Sequence, residues 1–281
     1  MIGKIVKQIS NDYTVLSNDK LYVCKARGKF KKLKESPLVG DSVIFDEVNK
    51  YILEINKRKN YLIRPSIANL DMAIIITSLK NPNFSTNLLD KFLTIIEYNN
   101  IKPIIIFTKY DLLNDEEKEN IKKYINYYKK YYQCYINTEI DKISKIFKNK
   151  ISVFTGQTGA GKSTLLNKLD TNLNLKTDEI SKALGRGKHT TRHTELINLL
   201  DGFIADTPGF SSLDFIGMDK IDIRDNFIDF NNYRDLCKYN NCLHDKEDKC
   251  IIKEKVSTNE ILSTRYENYI KFLKEKDDKY R

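Results

Sequence analysis

The chain has 281 residues, 41% of them hydrophobic, and 48 Lys and Arg against 38 Asp and Glu give a formal net charge of +10. That length and apolar share exclude a disordered chain and leave room for two or three modest domains with cores of their own. No run nears the ~18 apolar residues of a membrane helix, and the opening MIGKIVKQISNDYTV alternates apolar and polar residues without a signal-peptide core, so a cytoplasmic protein with no membrane partner is expected.

The charge is uneven. Residues 1–65 hold 14 Lys and Arg against 7 Asp and Glu, a net of +7. A basic N-terminal quarter suits a polyanion such as RNA; the general richness in Lys, Asn, Ile and Tyr allows a merely solvated surface instead. Residues 3–6, 13–16, 21–24, 42–45 and 51–55 predict five short strands parted by turn signals, the pattern of a small oligonucleotide-binding (OB) barrel. Between the third and fourth, Arg27-Gly28-Lys29-Phe30-Lys31-Lys32-Leu33-Lys34 mixes cations with an aromatic ring. It reads either as phosphate and base contacts or as a solvated hairpin tip.

After Arg64-Pro65-Ser66 the pattern changes. Residues 72–77 and 104–107 are continuous apolar runs, as in strands buried on both faces. Ser85 opens a helical pattern, and Asn114 opens a second with Asp115, Glu116 and Glu117 in its first turn. A strand at 133–136, a short helix to Phe147 and a strand at 151–155 follow, so strands and helices alternate as in a doubly wound parallel sheet. Residues 195–200 and 203–206 predict a hairpin turned at Asp201-Gly202. Past residue 220 the chain is polar and helical, and Ser257-Thr258-Asn259-Glu260 has the spacing of a capping box opening a last amphipathic helix. Cys24 and Cys134 stand alone in apolar contexts and read as core thiols.

Four constellations carry chemistry. Gly156-Gln157-Thr158-Gly159-Ala160-Gly161-Lys162-Ser163, between an apolar strand and the helix start at Thr164, is a phosphate loop. Its backbone N–H groups and the helix N-terminus attract phosphate oxygens. Gly156 and Gly161 let the backbone approach, Lys162 would reach the β- and γ-phosphates, and Ser163 would ligate Mg²⁺. Asp206-Thr207-Pro208-Gly209 is a D-x-x-G at a strand end, where Asp206 would hold Mg²⁺ and the Gly209 amide would face the γ-phosphate. Thr108-Lys109-Tyr110-Asp111 follows a buried strand. The Asp111 carboxylate can accept from both N1–H and the exocyclic amine of guanine, a pair that adenine lacks, so GTP is favoured over ATP. Cys237, Cys242, His244 and Cys250 form the Cys₃His set of a closed, structural tetrahedral Zn²⁺ site.

The order is unusual: the base-reading motif precedes the phosphate loop, which precedes D-x-x-G. One site forms from these parts only if the sheet is circularly permuted, which surface termini permit. Permutation with a basic barrel before it and a zinc cluster after it, together with Arg27-Gly28-Lys29-Phe30-Lys31, Pro37-Leu38-Val39-Gly40-Asp41 and Gly187-Lys188-His189-Thr190-Thr191, resembles the ribosome small-subunit-dependent GTPase A family of bacteria over nearly the whole chain.

The resemblance implies three parts: residues 1–65 an RNA-binding OB barrel, 66–218 a permuted α/β GTPase domain, and 219–281 a small, mainly helical zinc domain. It implies GTP hydrolysis stimulated by the small ribosomal subunit and a role late in that subunit's maturation, with rRNA and GTP/GDP as partners, one Zn²⁺ and Mg²⁺ as ions, and a monomeric protein. Phe210 stands where Ras-like enzymes place a water-orienting Gln. The resemblance gives that task to His189, and the switch threonine is Thr190 or Thr191. The stretch Ile136-Asn137-Thr138 departs from the family's Ser-Ala base-backing motif. The competing reading is an RNA-binding assembly protein for which GTP is a slow structural ligand.

Overall fold

The structure, a computed structural model, describes residues 1–32, 35–62, 66–170, 193–206 and 214–278. The chain packs as two compact units, one of Met1–Ile74, Asn137–Thr155 and Gly161–Ser212, the other of Ile75–Ile136, Gly156–Ala160 and Leu213–Arg281.

In the first unit, β1 (Ile2–Ile9), β2 (Asp12–Ser17) and β3 (Lys20–Ala26) form an antiparallel meander, followed by α1 (Lys29–Lys32), β4 (Ser42–Asp46) and β5 (Tyr51–Ile55). β5 pairs with β4 and, in parallel, with β3, and β4 returns to β1, so the five strands close in the order β1-β2-β3-β5-β4-β1. Closure leaves no free edge to aggregate. The predicted alternation is the cause: Ile5, Val15, Cys24, Val43, Phe45 and Ile52 are fully buried inside while their neighbours face out. This is the OB-like barrel that the strand pattern predicts. Phe30 corrects one expectation. Its ring is 5% exposed, part of the core rather than a platform for a base.

The chain continues through the short pair β6 (Tyr61–Leu62) and β7 (Ile67–Ala68), then β8 (Met72–Ser78), α2 (Thr86–Tyr98), β9 (Lys102–Thr108), α3 (Asp115–Lys129), β10 (Gln133–Ile136), α4 (Ile140–Ser144), β11 (Ile151–Gly156), α5 (Lys162–Leu169), β12 (His193–Leu199) and β13 (Gly202–Asp206). Within the first unit β11 runs parallel to β13, β13 is antiparallel to β12, and β12 is antiparallel to β1. The hairpin turns at Leu200-Asp201, both at positive φ, one residue before the predicted turn. Gly202 opens β13 instead, because a Cβ there would stand 2.1 Å from the Phe147 carbonyl oxygen. Close approach, not turn geometry, requires that glycine.

β10 and β9, in the second unit, lie side by side with β8, whose residues 75–78 belong to that unit, and β8 is buried at every residue. The Ser85 side chain accepts from the Leu88 N–H to cap α2, and Asn114 with Glu117 forms a full capping box on α3. The C-terminal segment adds α6 (Lys220–Asp225), α7 (Ile228–Asn231), α8 (Ile251–Ser257) and α9 (Ser263–Asp278). The predicted capping box at 257–260 does not form. Asn259 takes φ 59° and ends α8, the N–H groups of Glu260 and Ile261 return to the Lys255 carbonyl, and the Glu260 carboxylate pairs with Lys255 and Thr258. The last helix starts three residues later, at Ser263.

One buried polar cluster ties these helices. The guanidinium of Arg265 on α9, fully buried, donates to Asp90 of α2 at 2.7 Å and to Asp229 of α7 at 2.9 and 3.1 Å. Tyr128 and Tyr127 of α3 donate to the same two carboxylates at 2.5 Å each, and Asn268 donates to Asp90 at 2.7 Å. Burial still pushes the Asp90 carboxyl above its usual range, opposed by Arg265. Removing one partner leaves charge stranded in a dry interior. Arg265→Met is therefore expected to cost about 3–5 kcal/mol, read as a lower denaturation midpoint; an unchanged midpoint would contradict the cluster's role.

Candidate nucleotide site and metal centre

The phosphate loop leaves β11 and enters α5. Gly156, Gly159 and Gly161 take φ of 136°, 77° and 89°, and Gly161 is the N-cap residue of α5. At Gly156 the backbone passes so close to β8 that a Cβ would lie 2.1 Å from the Ile76 carbonyl oxygen. Leu165, Leu166 and Leu169 anchor α5 on the core, so its first turn is presented by a buried stripe. Ala160 is fully buried, Lys162 and Ser163 are half-buried, and Thr158, Gly159 and Thr164 are exposed. Gln157 is half-buried. Such a turn, with the helix N-terminus behind it, binds phosphate groups by backbone N–H donation.

The base-reading turn is bound to that loop. Thr108 ends β9, and its hydroxyl, buried, donates to the Ala160 carbonyl at 2.6 Å and reaches the Thr77 carbonyl at 3.4 Å. Lys109 follows in the left-handed region, φ 60°, and its ammonium donates to the Gly159 carbonyl at 2.8 Å and to the Asn81 carbonyl. Asp111 sits in the short turn Tyr110–Leu112, exposed, and its carboxylate accepts no hydrogen bond among the described residues. An exposed carboxylate in the turn that Lys109 fastens to a phosphate loop can take two N–H donors from a purine edge. The Thr108-Lys109-Tyr110-Asp111 spacing points to guanine through Asp111 but not to these bonds to loop carbonyls, because a motif's spacing shows its ligand and not its neighbours 50 residues on.

Asp206 is the last residue of β13, the parallel neighbour of β11 in the first unit, so Asp206 and the strand that feeds the loop end at the same edge of the sheet. That is where ligands bind in open parallel sheets. His189, Thr190, Thr191 and Gly209 lie outside the described residues.

The four predicted metal donors converge. Among the described residues, Cys237, Cys242, His244 and Cys250 bring their ligand atoms within 4.8 Å of one another. The Cys237 and Cys250 sulfurs are 4.0 Å apart, and His244 Nδ1 is 3.6 and 3.3 Å from them. Tetrahedral ligands about 2.3 Å from Zn²⁺ lie roughly 3.8 Å from one another, so the donors fit such an ion. Tyr266 and Tyr269 of α9 donate to the His244 and Leu243 carbonyls at 2.6 Å, and Glu247 accepts the Leu243 and Asp245 N–H groups, bonds that hold the ligand loop. Of the remaining cysteines, Cys24 is fully buried in the barrel and Cys134 half-buried, with burial pushing its thiol up to about 12.

Two family models match the chain, the RsgA N-terminal domain over residues 2–51 and the RsgA GTPase over 55–216. The chain belongs to the RsgA GTPase family. It is therefore a GTP hydrolase. A small ribosomal subunit biogenesis GTPase RsgA 2 of Oceanobacillus iheyensis is 48% identical, covering 97% of this chain and 96% of its own length. The Bacillus pumilus protein called small ribosomal subunit biogenesis GTPase RsgA is 47% identical over 99% and 98%. Among solved structures, YloQ, described as a circularly permuted GTPase, superposes with a TM-score of 0.82 at 37% identity, covering 99% of this chain and 95% of its own. YjeQ from Thermotoga maritima gives 0.84 at 31% identity, with 98% and 97% covered.

Without metal, burial lifts the Cys242 thiol to about 12 and Cys250 above its usual value, whereas burial, helped by Arg224, lowers the His244 imidazole to about 4. The imidazole is thus already neutral at pH 5–8, and a metal must displace protons from the thiols. Metal uptake by this chain should release protons and tighten as pH rises from about 5 to 8. Chelation should lower the melting temperature and expose thiols to a labelling reagent, and one equivalent of Zn²⁺ should reverse both. A wild-type chain that binds no metal would contradict this.

Proposed function

We propose that this chain acts in the late maturation of the small ribosomal subunit, and that docking on the subunit's rRNA accelerates its GTP hydrolysis, which drives release. The observation that carries the nucleotide half is the pair of bonds from Thr108 and Lys109 to the carbonyls of Ala160 and Gly159. They make one site of two motifs that sit in inverted order along the chain. The ribosomal half rests on the names of relatives that match nearly end to end, and on the basic, closed N-terminal barrel.

In this reading the parts are 1–65 for RNA, 66–218 for GTP and 219–281 for the metal module, in a monomeric, cytoplasmic protein. Asp111 takes guanine N1–H and the exocyclic amine, with Lys109 and Thr108 holding the turn. Gly156, Gln157, Thr158, Gly159, Ala160, Gly161, Lys162, Ser163 and Thr164 receive the phosphates, with Lys162 neutralising charge on the β- and γ-groups. Mg²⁺ suits the Ser163 hydroxyl and the Asp206 carboxylate, hard oxygen donors following parallel neighbouring strands. When bound it would offset charge on the phosphates. The Gly209 amide faces the γ-phosphate, Thr190 or Thr191 senses it, and His189 orients the water, since Phe210 cannot. Cys237, Cys242, His244 and Cys250 hold one structural Zn²⁺.

Purified small subunits should raise GTP turnover by at least ten-fold, and His189→Ala should keep GTP affinity while losing that stimulation. Equal stimulation by large subunits, or none by small ones, would contradict the proposal and favour an assembly protein with GTP as a slow ligand. A normal stimulated rate in His189→Ala would remove that residue's role.

A further inference from the structure

Beside the metal donors lies a cavity of about 310 Å³ lined by Arg224, Arg234, Asp235, Tyr239, Asn240, Cys242 and His244. Two of its walls are guanidiniums joined by one carboxylate. Asp225 Oδ1 accepts from Arg224 Nε and from Arg234 Nη1, each at 2.7 Å. The Arg224 side chain is only 12% exposed, and its Nη1 reaches the Cys242 carbonyl at 3.4 Å. Arg234 is 35% exposed.

The charges explain the arrangement. A divalent ion held by three thiolates and a neutral imidazole carries a net charge of −1. In a largely buried setting that charge needs a neighbour of opposite sign. The Arg224–Asp225–Arg234 bridge sums to +1; Asp235, 3.6 Å from Arg234 Nε, is 90% exposed, so solvent screens its charge from the centre. The Glu247 carboxylate on the ligand loop adds to the negative side and is occupied by the Leu243 and Asp245 N–H groups. The same sums argue against a phosphate pocket, because an anion entering the cavity would meet the charge of the loaded centre in its wall.

We propose that Arg224, held by Asp225 together with Arg234, is the counter-charge of the loaded metal centre and a positioning residue for metal retention. This rests on the metal reading of the four cysteine and histidine donors. Outer groups of this kind typically account for roughly 10- to 100-fold in metal affinity.

The test uses the full chain, loaded with Zn²⁺ and competed at fixed pH with a chelating dye, and a Co²⁺-loaded sample whose thiolate-to-metal absorption reports the ligand set. Arg224→Gln should lose about 10- to 100-fold in metal affinity with the Co²⁺ spectrum unchanged in shape. Arg224→Lys, which keeps the charge, should stay within about three-fold of wild type. Wild-type affinity in Arg224→Gln would overturn the proposal. So would an equal loss in Arg224→Lys, which would assign the effect to the shape of the guanidinium rather than to its charge. If Arg224→Gln does not fold, the half-exposed Arg234→Gln carries the test, with a loss of a few-fold expected and none contradicting. Failure of the wild type to bind metal would instead sink the metal reading itself.

Discussion

Two short bonds, from Thr108 to the Ala160 carbonyl and from Lys109 to the Gly159 carbonyl, are what the nucleotide site depends on. A phosphate loop alone binds any nucleoside triphosphate, and a T-K-x-D turn alone is a common helix start. Fastened together, the two fix the distance from base to phosphates, and hence which ligand spans them. The fastening needs the loop backbone to come within contact of β8 at Ile76, where only glycine at 156 fits. Permutation then costs little, because each strand end, and not the order of strands in the chain, positions its residues.

The C-terminal module meets a different constraint. Its helices α6 to α8 are only four to seven residues long, and they pack through Phe227, Phe230, Tyr269 and Phe272, fully buried against one another. Two polar centres add to that small core. The Arg265 cluster binds α7 and α9 to α2 and α3, the helices that flank the base-reading turn in sequence, and the Cys₃His set closes the loop between α7 and α8. Both centres rest on α9, through Arg265 and Asn268 on one side and Tyr266 and Tyr269 on the other.

Much of this was legible in the sequence because the signals were local. The five barrel strands follow alternation, β8 and β9 follow unbroken apolar runs, and Ser85 and Asn114 cap the helices that they were expected to open. The metal set was legible because donor type and spacing are chemistry in themselves. What stayed hidden depended on distant neighbours. Arg265 stands in a Lys- and Glu-rich helix and reads as a surface residue until Asp90 and Asp229 arrive from 175 and 36 residues away. Gly202 looked like a turn glycine but is kept small by the Phe147 carbonyl. Phe30 sits among cations yet faces the core, and Asn259 ends one helix where its neighbours suggested the start of another.

The central claim is that Asp111 reads guanine at the lip of a loop that Thr108 and Lys109 hold in place. Exchanging that carboxylate for an amide tests it most directly. In Asp111→Asn the new side chain would offer an amide N–H to the C2 carbonyl of xanthine, where guanine carries an amine. In equilibrium titrations Asp111→Asn is predicted to lose GTP affinity by on the order of 10²-fold or more and to gain affinity for XTP. Unchanged GTP binding by Asp111→Asn, with no gain for XTP, would contradict the account.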